Sequence, residues 1–375
     1  MSPKRIMLVI HSLLGGGAER VTVSLANAWS ARGDSVDIVT FGTEETSYPV
    51  SPAVRLTGLC TAARSEGFVS GLLGNFRRLL ALRREIRLKR PDIVIGMMSA
   101  TSVLVALAGM GLPARTIGAE RIYPPLLPLG RIWTGLRRFL YRYLDAVTAQ
   151  TDVAARWLQQ HTSARNIHVV PNPIIFPLPN SLPHIPPETC VRPDRRVLLA
   201  MGRLVPQKGF SDLITVFGEL APRYPDWNLV ILGEGPARQA LEERIAAYGL
   251  TGRAILPGHA GNVAEWLGRA QLFVMTSRFE GFPNALMEAM AAGVPAISYD
   301  CLAGPAVIIR HGIDGFLVPV NDMDRLAWHL RLVMDDVPLR DAMAAAALQV
   351  RERFSLASAL ALWDQIFAAD SKKQP

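Results

Sequence analysis

Two carboxylates eight positions apart, Glu280 and Glu288, stand in the most specific string of this chain, Arg278-Phe-Glu-Gly-Phe-Pro-Asn-Ala-Leu-Met-Glu288-Ala-Met-Ala-Ala-Gly-Val-Pro295. Phe279, Gly281 and Phe282 read as loop. Pro283 suits a first helical position, and the Ala/Leu/Met run to Ala292 is helix-forming until Gly293 stops it. Glu280 then sits on the loop and Glu288 on the helix. Such a pair can hold two parts of one polyhydroxylated ligand, a sugar ring and a ribose diol. Acids near a helix start also arise because the helix dipole favours them, so the pair alone leaves a structural role open.

Three further strings could do related chemistry. Gly202-Arg203-Leu-Val-Pro-Gln-Lys208-Gly209 offers two cations on one loop. Arg supplies a planar fork and Lys a mobile point charge, a combination that neutralises a diphosphate or merely solvates a surface. Gly15-Gly16-Gly17-Ala18-Glu19 precedes a helix, where exposed amides and the dipole favour phosphate; a plain tight turn is the alternative. It lacks the G-x-G-x-x-G spacing, and no acid ends the next strand at Thr40 or Phe41, which disfavours hydride transfer. Gly233-Glu234-Gly235-Pro236 reads as another strand-to-helix turn.

The elements that must position these residues alternate along the chain. Strands are expected at 5–11, 35–41, 93–97, 116–119, 146–149 and 167–170, with a helix at 18–32. A second series follows at 197–201, 229–232, 254–256, 272–275, 296–298 and 316–318. Alternation of this kind gives parallel, helix-covered sheets. The proline-rich stretch 178–195 marks a linker between domains at 1–177 and 196–354, and 355–375 holds a last amphipathic helix with a frayed tail at 371–375. A length of 375 residues, 50% hydrophobic, suits two cores.

Cys60, Cys190 and Cys301 are far apart without metal spacing, which fits a reducing cytoplasm. No signal peptide is expected, because the short apolar run after Lys4 and Arg5 reads as a strand. The 22 uncharged residues of 93–114 are long enough to span a membrane, but Gly96, Gly109, Gly111 and Pro113 break them into a strand and a short helix. Net charge is +8, and residues 1–177 carry 21 Lys/Arg against 11 Asp/Glu. The whole basic excess therefore lies in the first half, which implies a polyanionic or membrane-surface partner for it.

Order and spacing of Gly-Gly-Ala-Glu, Gly-Arg-x4-Lys-Gly, Leu-Gly-Glu-Gly and Glu-Gly-Phe-Pro resemble retaining glycosyltransferases of family 4 over roughly residues 5–335. The resemblance implies an α/β architecture of two Rossmann-like domains facing a cleft, the glycosyltransferase B fold. It places the donor mainly on the second domain, the acceptor on the first, and the last helix back on the first. By matched position Gly16 and Gly17 approach the diphosphate, Arg203 and Lys208 bind it, and the Glu234 turn lies by the nucleobase. Glu280 with Gly281, Phe282 and Pro283 contacts the donor sugar, and Glu288 holds the ribose. Glu280, Arg203 and Lys208 are the implied catalytic set. Many members also carry a first-domain histidine, but none occurs between His11 and His161. Glu120 or His11 could stand in.

For the acceptor, the helix expected at 69–90 is informative. Val69, Leu72, Leu73, Phe76, Leu79 and Leu80 form an apolar stripe, and Arg83, Arg87 and Arg90 continue it. A stripe that turns basic suits a lipid tail ending in a diphosphate, or an anionic membrane surface; a core stripe with a solvated end is the alternative. The segment 131–142 interleaves Trp133, Phe139 and Tyr141 with Arg137 and Arg138, a mixture that also stacks nucleic-acid bases. Nothing else points to nucleic acid, so peripheral membrane contact is expected.

The expectation is thus a retaining glycosyltransferase that moves a hexose from a nucleotide sugar, with uridine ahead of guanosine, to a polyprenyl-diphosphate-linked glycan. It would work at the inner face of a bacterial cell membrane in polysaccharide assembly, without cofactor or metal, since Arg203 and Lys208 stabilise the departing diphosphate. A nucleotide-sugar epimerase, a phosphorylase, and a non-catalytic nucleotide-sugar adaptor at the membrane are the alternatives.

Overall fold

The computed structural model describes residues 3–61, 68–126 and 129–369. The chain divides into two compact units, Met1–Pro173 with Leu356–Pro375, and Ile174–Ser355. The first runs β1 (Arg5–Ile10), α1 (Gly17–Ala31), β2 (Ser35–Thr40), β3 (Arg55–Gly58), α2 (Phe68–Lys89), β4 (Ile93–Met97), α3 (Ser99–Gly109), β5 (Arg115–Ala119), α4 (Gly130–Leu140), β6 (Ala146–Ala149), α5 (Asp152–His161) and β7 (Ile167–Val169). Its seven parallel strands are ordered β3-β2-β1-β4-β5-β6-β7. The central strands are apolar without alternation because helices cover both faces, and every residue of β4 is buried. Residues 93–114 form β4 and α3 inside this core, and no helix of the described residues is long and apolar enough to cross a membrane.

The second unit runs β8 (Arg196–Met201), α6 (Phe210–Leu220), β9 (Trp227–Leu232), α7 (Arg238–Ala247), β10 (Ala254–Gly258), α8 (Val263–Arg269), β11 (Leu272–Met275), α9 (Asn284–Ala291), β12 (Ala296–Tyr299), α10 (Pro305–Ile308), β13 (Gly315–Val318), α11 (Met323–Asp335), α12 (Val337–Ala347) and α13 (Val350–Arg353). Its six parallel strands are ordered β10-β9-β8-β11-β12-β13. α14 (Leu356–Ala368) belongs to the first unit, where Trp363 packs edge-on against Trp29 at 5.8 Å and Asp364 pairs with Arg32 at 2.7 Å.

The stretch expected to be a linker is docked on the second unit. Ser181 N donates to the Gly261 carbonyl and Gly261 N to the Pro183 carbonyl, and the buried Asn262 side chain holds both backbone groups of Ile185. Trp266 Nε1 donates to the Ile185 carbonyl as well, at 2.9 Å. The expected fraying of 371–375 lies outside the described residues.

Candidate active site

Both sheets have a point where the strand order reverses, and ligands of open α/β sheets bind at the carboxyl ends of the strands beside it. In the second unit β8 has β9 on one side and β11 on the other, so the loops after β8 and β11 open at that point. Those loops carry Arg203, Lys208 and Glu280.

Several hydrogen bonds suture them. Gln207 Nε2 donates to the Phe279 carbonyl at 2.7 Å, Arg278 N to Gln207 O at 2.8 Å, Arg278 Nη1 to Pro206 O at 2.8 Å and Thr276 Oγ1 to Lys208 O at 2.9 Å. The Arg278 guanidinium also holds both Asp212 oxygens at 3.0 Å. Gly209 makes the close approach possible. Its φ is +63°, and a Cβ there would lie 2.1 Å from the Thr276 carbonyl oxygen.

Lys208 Nζ donates to Glu280 Oε1 at 2.5 Å, with side chains 20% and 12% exposed. Two residues assigned from the sequence to different parts of a ligand, the diphosphate and the sugar, are thus in direct contact. Arg203 is exposed, and its guanidinium has no protein partner among the described residues. The amides of Gly281 and Phe282 likewise donate to no protein acceptor among the described residues. Arg203, Lys208, Glu280 and the amides of Gly281 and Phe282 therefore all lie on one loop pair. Cys301 lies nearby, and burial together with the Glu280 charge pushes its thiol up to about 12, which leaves it inert as a nucleophile.

Glu288 is buried on α9 with partners of its own, and the helix begins one residue later than expected, with Pro283 as its N-cap. Phe282 packs into the core against Phe354 at 5.8 Å rather than facing a ligand with its ring. Glu234, at the turn after β9, is taken by Arg238, which donates to its two oxygens at 2.5 and 2.9 Å and holds its carboxyl below the usual range. Gly233 makes that turn compact, since a Cβ there would clash with the Gly202 carbonyl oxygen at 1.9 Å.

In the first unit the order reverses between β1 and β4, placing the loop after β1 at the corresponding point. Gly16 is not free for phosphate. The Tyr48 hydroxyl accepts from Gly16 N at 3.0 Å and donates to Gly16 O at 2.8 Å, and the Glu19 carboxylate folds back against it. Gly17 opens α1.

Glu120 corrects the expectation that it offers polar contact to a sugar. The side chain is 1% exposed, accepts from Ser99 Oγ and from Tyr141 Oη at 2.5 Å each, and is raised above the ordinary carboxyl range by burial. His11 is exposed, and partial burial of its ring together with Arg78 lowers its pKa.

The α2 stripe is divided between core and surface. Leu82 and Ile86 are the buried positions, with Leu79 partly buried beside them, while Leu73, Phe76 and Leu80 are 55%, 58% and 51% exposed. Val69 and Leu72 lie outside the residues whose side chains are described. Arg83 is a structural cap, donating to the Ala108 and Met110 carbonyls at the end of α3 at 2.7 and 2.8 Å. Arg87 and Arg90 line a cavity of about 500 Å³ with Arg5, Asp92, Leu112 and Pro113. That cavity is at the amino ends of β1, β4 and β5, so a strand length, roughly 13 Å for β4, separates it from the carboxyl edge.

Comparison with known proteins agrees with this geometry. The family model of glycosyltransferase family 4 matches residues 15–175, and that of glycosyl transferases group 1 matches residues 184–350. The chain is a glycosyltransferase of the glycosyltransferase B fold. It is 26% identical, over 97% of its length and 98% of the relative's, to the GalNAc-alpha-(1->4)-GalNAc-alpha-(1->3)-diNAcBac-PP-undecaprenol alpha-1,4-N-acetyl-D-galactosaminyltransferase of Campylobacter jejuni. It is 31% identical over 289 residues, 76% of its length, to an exopolysaccharide phosphotransferase of Streptomyces coelicolor, of which it spans only 29%. Among solved structures, the HepE protein of Anabaena in complex with UDP and glucose superposes with a TM-score of 0.75 at 17% identity, covering 98% of this chain and all of that one.

Proposed function

We propose that this glycosyltransferase moves a hexosyl group, with retention of configuration, from a UDP-sugar to a glycan linked through diphosphate to a polyprenyl lipid, in the assembly of a bacterial polysaccharide. The observation that carries this is the loop pair of the second unit, where Lys208, Glu280, the free Arg203 and the open amides of Gly281 and Phe282 meet at the strand-order reversal.

Arg203 and Lys208 lie where a leaving diphosphate gains negative charge, and stabilising that charge lowers the barrier without a metal ion. Glu280, held by Lys208, is set to contact the donor sugar, and Glu288 to hold the ribose. The acceptor hydroxyl attacks from the face the diphosphate leaves. Its proton passes to the departing phosphate oxygen, so no separate base is required; Glu120, held by Ser99 and Tyr141, is not placed to act as one. UDP is favoured because it occupies the Anabaena relative in structure. A lipid-linked acceptor is favoured by the Campylobacter relative, whose name specifies one, and polysaccharide assembly by the name of the Streptomyces relative.

Work at the inner face of the cell membrane is supported by α2 and α4. Both pack on α3 and leave large apolar side chains uncovered, Leu73, Phe76 and Leu80 on one and Ile132 and Phe139 on the other, among arginines. Apolar side chains set among cations suit an anionic interface.

The test is incubation with UDP-hexoses and a prenyl-diphosphate-linked glycan in excess chelator, followed by proton NMR of the new anomeric centre. An α-linked product from an α-linked donor is expected. A β-linked product would contradict retention, complete dependence on added metal would contradict the electrostatic role of Arg203 and Lys208, and donor isomerised without acceptor would mark an epimerase.

A further inference from the structure

The carboxyl edge of the first sheet holds a buried cation without a counter-charge. Arg121, directly after β5, is 7% exposed. Its Nη2 donates to the neutral Asn172 Oδ1, which also accepts from Gln150 Nε2 at 2.7 Å. Nε is buried without a partner. Nη1 has no protein partner among the described residues either and is not among the buried orphan atoms, so it is where the guanidinium still reaches solvent.

Among the described residues no carboxylate pairs with this charge. Glu120 next to it is turned inward to Ser99 and Tyr141 and lies in the field of another buried cation, Arg137. Burial alone pushes the Arg121 guanidinium down to about 10, with no acid counteracting it. A buried charge lacking a partner is costly, and proteins keep one where a ligand completes it. Two more orphaned polar atoms lie on the neighbouring strand and its loop, Thr148 Oγ1 and Gln150 Oε1.

We infer that Arg121 is an oxyanion-binding residue of the acceptor site, taking, through the nitrogen that still reaches solvent, the phosphate group through which the acceptor sugar is carried. The donor's diphosphate is the competing source. The only first-unit position expected to approach that diphosphate, the loop after β1, is two strands from β5, about 10 Å at 4.8 Å per strand, and its Gly16 is already held by Tyr48. Arg121 leans further away still, toward Asn172 beyond β7. The acceptor is therefore the source assigned, and that assignment rests on the lipid-diphosphate acceptor proposed above, whereas the anion site itself does not.

The test is calorimetric titration of the full chain, saturated with UDP and free of divalent metal, with farnesyl diphosphate and separately with inorganic diphosphate. Arg121→Gln is expected to weaken both by tenfold or more and Arg121→Lys by less, while the Kd for UDP measured alone changes less than twofold. Should Arg121→Gln fail to fold by circular dichroism, Arg121→Lys decides, with an expected loss of at least threefold. Unchanged diphosphate affinity in the folded variants, or an equal loss of UDP affinity, would overturn the inference. Arg121-dependent binding of inorganic diphosphate with no binding of farnesyl diphosphate would keep the anion site and overturn the lipid-carrier reading.

Discussion

The Lys208–Glu280 contact shows how residues assigned separately from sequence act as one group. Each loop was legible as a strand-to-helix turn because Gly, Pro and charged residues cluster there. Their partnership was not, since 72 positions separate them and only the adjacency of β8 and β11 joins them. The same limit hid Tyr48, whose hydroxyl occupies Gly16 from 32 residues away, and Arg121, which no motif marks. Arg203→Ala and Lys208→Ala should each lower turnover at least tenfold, because a charged hydrogen bond that strengthens in the transition state contributes about 1.5 to 3 kcal/mol. Initial rates in chelator read this directly, and near-normal rates would remove both from the mechanism. Glu288→Gln should lose most turnover with its circular dichroism unchanged; a folded, active variant would end the ribose role. Gly209→Ala should destabilise the second unit by about 2 kcal/mol or more, since the left-handed φ and the Thr276 carbonyl both oppose a Cβ, and urea unfolding measures it.

Among elements, strands such as β4, β6 and β11 could be read to the residue, because a doubly covered parallel strand is buried along its whole length. β3 was missed. Its Arg-Leu-Thr-Gly sequence borders the sheet with no residue fully buried. The buried face of α2 was not identified for a different reason. Leucines at 79, 80, 82 and 88 satisfy more than one helical register, and only packing on α3 selects Leu82 and Ile86. Arg83→Gln should therefore destabilise by about 1.5 to 3 kcal/mol by uncapping α3, whereas the double change Arg87→Gln with Arg90→Gln should leave the melting temperature within a degree or two. Equal melting temperatures for all three proteins would contradict the capping role. Vesicles containing anionic lipid should retain the wild-type chain at low salt and lose it as salt rises. Replacing Phe76, Leu80 and Phe139 with Ser should weaken retention further, and sedimentation with neutral vesicles serves as the reference.

At the scale of the whole molecule, the two-sheet architecture was legible from alternation alone, and the family models covering 15–175 and 184–350 divide the chain in the same way. Proline content marked the change from one unit to the next but not that 178–195 packs on the second, because docking depends on Asn262 and Trp266 far along the chain. The first unit is completed by α14. Trp363→Ala should cost it about 3 to 5 kcal/mol by emptying the contact with Trp29, while binding of UDP at the second unit persists. Melting followed with and without UDP separates the two effects. The central claim is that the loop pair after β8 and β11 is a nucleoside-diphosphate site, and titration of UDP in chelator tests it most directly. The chain should bind UDP without metal, with affinity at least tenfold weaker in Arg203→Ala, Lys208→Ala and Glu288→Gln; UDP binding unaltered in all three folded variants would contradict the account.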